Sequence, residues 1–85
     1  VKRAIYFTAS WCQPCKTFAP ILYAVAAANG VAVQKVDVNE NPALANEWHV
    51  MTLPTVLWVK DDAVQAVQVG PLGEKALMKY VERVQ

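Results

Sequence analysis

From Ala4 to Thr8 the chain is β-branched or aromatic at every position but the first, with apolar residues on both alternations. A strand covered on both faces reads this way, whereas a half-solvated strand alternates. From Pro14 the period changes. Phe18, Ile21, Leu22 and Val25 recur at three- and four-residue intervals, Ala26-Ala27-Ala28 follows, and Asn29-Gly30 closes a predicted helix. Pro20 falls inside this helix and predicts a kink near residues 16–20. Val31–Val38 reads as a second strand, with Val31, Val33, Lys35 and Asp37 on one parity and Val36 and Val38 on the other. Strand, helix and strand over roughly 35 residues fit a right-handed parallel crossover.

Asn39-Glu40-Asn41-Pro42 then forms a turn, with Asn41 as helix cap and Pro42 at the first helical position. A short helix over Pro42–Trp48 presents Leu44 and Trp48 on one face, so Trp48 is expected to anchor it. Thr55–Lys60 and Ala63–Gly70 read as two strands joined through Asp61-Asp62, a link short enough for an antiparallel hairpin. Trp58 lies mid-strand and is expected in the core. The last segment, Gly73–Val84, is helical, with Leu77, Tyr80, Val81 and Val84 on one stripe. The order βαβ-α-ββα predicts an α/β fold with a central four-stranded mixed sheet flanked by helices.

Size and charge narrow the functional classes. A chain of 85 residues supports one domain, residues 1–85, and its 55% apolar content suits dense packing. Eight Lys and Arg against seven Asp and Glu leave a net charge of +1, and the basic residues are scattered. Nothing resembles a phosphate-binding stripe, so no nucleic-acid partner is expected. No apolar run reaches the length of a membrane span, and no export signal opens the chain, which favours a cytoplasmic location.

The chemistry concentrates in Trp11-Cys12-Gln13-Pro14-Cys15, which holds both cysteines. A bridge across so short a segment removes little entropy from the unfolded chain and makes a poor staple, so a reversible couple is the better reading. Cysteine reacts as the thiolate, and Cys12 sits where the free N–H groups and positive dipole end of the helix would stabilise that charge. Cys15, one turn on and expected to be more buried, can resolve a mixed disulfide formed by Cys12. Pro14 suits a first turn because no donor is needed there. Gln13 adds no charge. The alternatives are a zinc half-site and a buried structural pair. Tetrahedral zinc wants four ligands, and beyond the two cysteines the chain has one histidine, His49, and no other cysteine. His49 itself lies close before Pro54 and is weighed as a tuning group for the site.

These features together resemble the thioredoxin family, in a short form without the extra N-terminal strand and helix of the usual member. Trp11-Cys12-Gln13-Pro14-Cys15-Lys16 resembles the active-site segment, Pro20 the helix proline, and Thr52-Leu53-Pro54-Thr55 the loop whose proline is cis. Asp37–Pro42 resembles the segment before the second helix and Gly70 the glycine after the last strand. The resemblance implies a protein disulfide reductase acting on protein disulfides as a monomer. It would use no cofactor or metal beyond the Cys12–Cys15 couple and be recharged by a thioredoxin-reductase-like donor. It further implies that Leu53 offers backbone contacts to an extended substrate, that Pro54 shapes the groove, and that Trp11 covers one side of it. Two positions depart from the pattern. Gln13 replaces a glycine, and Tyr6 stands where the family has a buried aspartate that assists the resolving thiol. Lys35 matches the lysine near that aspartate. Tyr6 cannot supply a carboxylate, so slower or differently tuned resolution by Cys15 is expected. A glutaredoxin-like protein coupled to glutathione or to a dedicated reductase, and a redox-inert binding module, are the competing readings.

Overall fold

The computed structural model describes all residues 1–85. Its elements in chain order are β1 (Lys2–Thr8), α1 (Gln13–Ala28), β2 (Ala32–Asp37), α2 (Pro42–Glu47), β3 (Thr55–Lys60), β4 (Ala63–Val69) and α3 (Glu74–Arg83). The strands form one sheet in the order β2-β1-β3-β4. β1 pairs parallel with β2 and antiparallel with β3, and β3 pairs antiparallel with β4. The expected mixed sheet and crossover unit are therefore present.

β1 is covered on both faces, which accounts for its unbroken apolar run. Ala4 and Tyr6 enter the larger core, with Phe18, Leu22 and Val25 of α1 and Leu77 and Val81 of α3. Phe7 turns the other way, to a smaller core with Val36, Leu57, Val59 and Ala45 of α2. Tyr6 meets Phe18 edge-on at 5.9 Å, a geometry aromatic pairs favour. Trp58 is fully buried, as its position predicts; it stacks on Tyr80 at 6.1 Å and donates through Nε1 to Gln68 Oε1 at 3.1 Å. Gln68 in turn donates to the Gly70 carbonyl at 3.1 Å.

Element ends differ from expectation where tertiary pairing or capping decides them. β1 starts two residues earlier than Ala4, because Lys2 and Arg3 pair with Lys60 and Val59. β2 loses Val31 and Val38 at its ends, and β4 stops at Val69 because Gly70 turns away with φ +90°. Gly73 and Val84 are the caps of α3 rather than its members. α1 runs without interruption through Pro20. Trp48 does not anchor α2. It is the C-cap, 41% exposed, and Ala45 is the residue that helix buries. Six residues leave too few turns to carry two large side chains onto one core.

β4 is an edge strand without a charged side chain, the kind of edge that invites foreign strands. A bulge breaks its pairing with β3 beside Trp58 and Val59 and leaves Gln65 without a register partner. Arg83 of α3 donates to the Gln65 carbonyl at 3.0 Å, and the Gln65 side chain donates to the Ala63 carbonyl at 3.2 Å. Two carbonyls of the edge strand are thus already engaged by side chains.

At the β3–β4 turn Asp61 and Asp62 both adopt positive φ, +49° and +67°. Two-residue hairpins want this twist, but side chains other than glycine and asparagine adopt it at a cost. Asp62→Gly should therefore raise stability by about 0.5 kcal/mol, and Asp62→Val should lower it by about 1–2 kcal/mol. Urea denaturation midpoints at constant m-value test both. The exposed Arg3–Asp62 pair lost in each variant contributes little.

Candidate active site

The site is built at the C-terminal end of β1, where the chain leaves the sheet through Ala9-Ser10-Trp11 and enters α1. Cys12 is the N-cap of that helix, with extended backbone at φ −83° and ψ 103°. Its amide donates to the Ala9 carbonyl at 3.1 Å, closing the turn, and its sulfur accepts from the Cys15 amide at 3.2 Å. Pro14 in the first turn has no N–H, so the Cys15 amide is the donor aimed at the cap. Cys12 and Cys15 are joined in a disulfide, with their Cα atoms 5.3 Å apart. The order of burial matches expectation only narrowly: Cys12 is 4% exposed and Cys15 2%. No group of three or more His, Cys, Asp and Glu side chains is arranged to hold a metal ion.

Two hollows flank the disulfide. The first is a groove of about 530 Å³ along Cys12. Trp11, Gln13 and Pro14 form one wall; Val38, Val50, Met51 and Leu53 form the other. Trp11 is 65% exposed, consistent with a residue that meets partners rather than fills a core. Pro54 is placed differently from the other expected groove residues. The Leu53–Pro54 bond is cis, as the resemblance implied, but Pro54 is buried behind the wall, and its carbonyl accepts from the Gly70 amide at 2.8 Å. Leu53 remains at the surface of the groove, and neither its N–H nor its C=O has an intramolecular partner. His49 is exposed with φ +52° and is not part of either wall.

The second hollow, about 250 Å³, reaches Cys15 from the opposite side. Tyr6 and Lys35 both line it, with Thr8, Lys16, Tyr23 and Asp37. The Tyr6 hydroxyl donates to the Cys15 carbonyl at 3.3 Å and shares a second hydrogen bond with Thr8 Oγ1 at 3.2 Å. Burial is the main cause that pushes its pKa above the ordinary 10.0, against the lowering effect of the Thr8 bond. The hydroxyl therefore stays protonated across the neutral range, as a donor tying β1 to the first turn of α1. Asp37 is occupied elsewhere, its carboxylate accepting from the Asn39 amide at 2.8 Å.

Sequence reasoning missed Val38, Val50 and Met51 as parts of the site. Their periodicity carries no signal, since they lie in connections. The one available hint was an apolar pair, Val50-Met51, standing directly before Thr52-Leu53-Pro54.

The thioredoxin family profile matches residues 2–83. A thioredoxin from Mycolicibacterium smegmatis is 43% identical over 77 residues, which cover 86% of this chain and 69% of the relative. A thioredoxin from Rhodospirillum rubrum is 38% identical over 78 residues, covering 89% and 75%. Among solved structures, oxidised mitochondrial thioredoxin 3 from Saccharomyces cerevisiae superposes with a TM-score of 0.88 at 34% identity, over 98% of this chain and 78% of that one. A family match over nearly the whole chain, on a fold that presents a paired Cys12 and Cys15 at a helix N-terminus, shows that this chain belongs to the thioredoxin family and is a thiol–disulfide oxidoreductase.

Proposed function

We propose that the chain acts as one domain that reduces protein disulfides, with Cys12 as the attacking thiolate and Cys15 as the resolving thiol. The observation that carries the roles is the hydrogen bond from the Cys15 amide to Cys12 Sγ, together with the groove opening along Cys12. A helix N-cap stabilises negative charge on its own side chain, and here that side chain is the Cys12 sulfur. In the reduced protein the Cys12 thiolate attacks one sulfur of a client disulfide, forming a mixed disulfide and expelling the other client sulfur as a thiolate. Cys15 then loses its proton and attacks Cys12 Sγ. The Cys12–Cys15 disulfide forms, and the second client thiolate leaves. Two electrons have passed to the client, and a reductase partner of the kind the family uses returns them, with no bound cofactor needed.

Leu53, with both backbone polar groups free, is suited to pair with an extended client segment beside the sulfur. The groove supports protein clients over glutathione. Neither wall holds a cation for the two carboxylates of that tripeptide. No helix is long and apolar enough to cross a membrane. A cytoplasmic monomer that engages no nucleic acid is the setting we propose, supported by a net charge of +1 without a basic stripe.

Tyr6 and Lys35 are proposed tuning groups for Cys15. A protonated tyrosine cannot accept the Cys15 proton, so resolution proceeds without a carboxylate base.

Cys15→Ser should accumulate a stable mixed disulfide through Cys12 when the reduced variant meets an oxidised protein, detectable by mass spectrometry. Cys12→Ser should trap none; trapping by that variant alone would reverse the role assignment. Tyr6→Asp should speed release of the reduced client on the order of tenfold, a small part of what a positioned general base can supply. The same variant should lower stability, because it removes the tyrosine ring from the core, where it packs edge-on against Phe18, and buries a carboxylate in its place. Stopped-flow single turnovers and denaturation curves separate the two effects.

A further inference from the structure

We propose that Met51 sets which clients react, by selecting an uncharged, apolar residue next to the client's cysteine. The proposal rests on reading the groove as the client site. Cys12 forms part of the groove, so any disulfide that reacts with it must lay its flanking residues between the same walls. That continuity with the reacting sulfur defines the occupant as a client segment.

Of the groove residues, only Cys12 has an ionisable side chain, and Gln13 supplies the one uncharged polar side chain. A charged client residue entering there would leave water, and the one opposite charge it could meet, the Cys12 thiolate facing a cation, is consumed by the attack itself. Met51 is the most exposed large apolar side chain of the molecule, at 93%. Its loop is nevertheless held: the His49 amide donates to the Asn46 carbonyl at 3.1 Å and the Val50 amide to the Ala45 carbonyl at 2.9 Å. On the other side, cis-linked Leu53–Pro54 is tied to Gly70. A fixed backbone thus presents an unbranched thioether that is largely uncovered by its own chain. Such a side chain adapts to different apolar shapes, and it gains burial only when something docks.

The test uses the fully reduced protein and cystine-linked pentapeptides that differ only in the residue beside the half-cystine: Leu, Lys or Glu. Second-order oxidation rates are read by stopped-flow tryptophan fluorescence. The wild type should favour Leu over both charged residues by about tenfold, the scale of burying one apolar side chain. Met51→Ala should shrink that preference. Met51→Lys should shift the Lys:Glu ratio toward Glu, and Met51→Glu should shift it toward Lys. Because Met51 is exposed, these variants keep the core intact. Equal rates for all three peptides in the wild type, or one unchanged Lys:Glu ratio in both charged variants, would overturn the role of Met51 and leave the reductase reading standing. A reduced wild type that no peptide oxidises would defeat both.

Discussion

Everything at the site depends on β1 being buried on both faces and paired on both edges. A strand so enclosed has no freedom to tilt or slide, because Ala4 and Tyr6 are held in one core and Phe7 in the other. The chain can leave the sheet only at its C-terminal end, and there it must turn into the crossover helix. The reactive turn is thus a consequence of connectivity: in open α/β sheets the carboxyl ends of strands are where loops gather and ligands bind. The larger core fixes where α1 lies, and with it the line along which its first amides point.

The first turn is then held from two directions. On the groove side the Cys15 amide meets Cys12 Sγ, and behind it the Tyr6 hydroxyl meets the Cys15 carbonyl. A single residue is therefore gripped at both its backbone groups, one by the sulfur it serves and one by the central strand. Where the family resemblance implied a carboxylate, this chain has a neutral donor whose burial keeps it neutral. With that donor in place, the first turn of α1 is tied to the central strand without a buried charge.

The sequence made the elements legible wherever burial was two-sided or periodic. The doubly apolar β1, the stripe of α1, the caps at Asn41 and Asn29, and the Asp61-Asp62 hairpin could all be read from side-chain type alone. So could the placing of Cys12 at a helix start, since a strand, a short link and a proline in the first turn leave few alternatives. Trp48 was misjudged because a large aromatic on a short helix looks like an anchor, yet the helix ends before the tryptophan can turn inward. The far wall of the groove escaped for a different reason. Val38, Val50 and Met51 converge through a sheet crossover and a loop, and no local pattern encodes that meeting. Pro54 was legible as the cis proline of its loop, but not its burial behind Leu53.

The buried pair of Trp58 and Gln68 has a bearing on how β4 finds its place. The strand reads Ala-Val-Gln-Ala-Val-Gln-Val, a threefold repeat that fits poorly to the twofold alternation of a sheet. Sliding it by one residue would exchange Val67 and Val69 for the inward set at little apparent penalty in apolar content. Sliding it by two would keep every side chain on its face. Hydrophobicity alone cannot choose among such alignments. The indole N–H can, because only one alignment brings a carbonyl oxygen from Gln68 to meet it and lets the same amide reach Gly70. One polar contact inside the core thus acts as an address label, telling an ambiguous strand where along its neighbour it belongs.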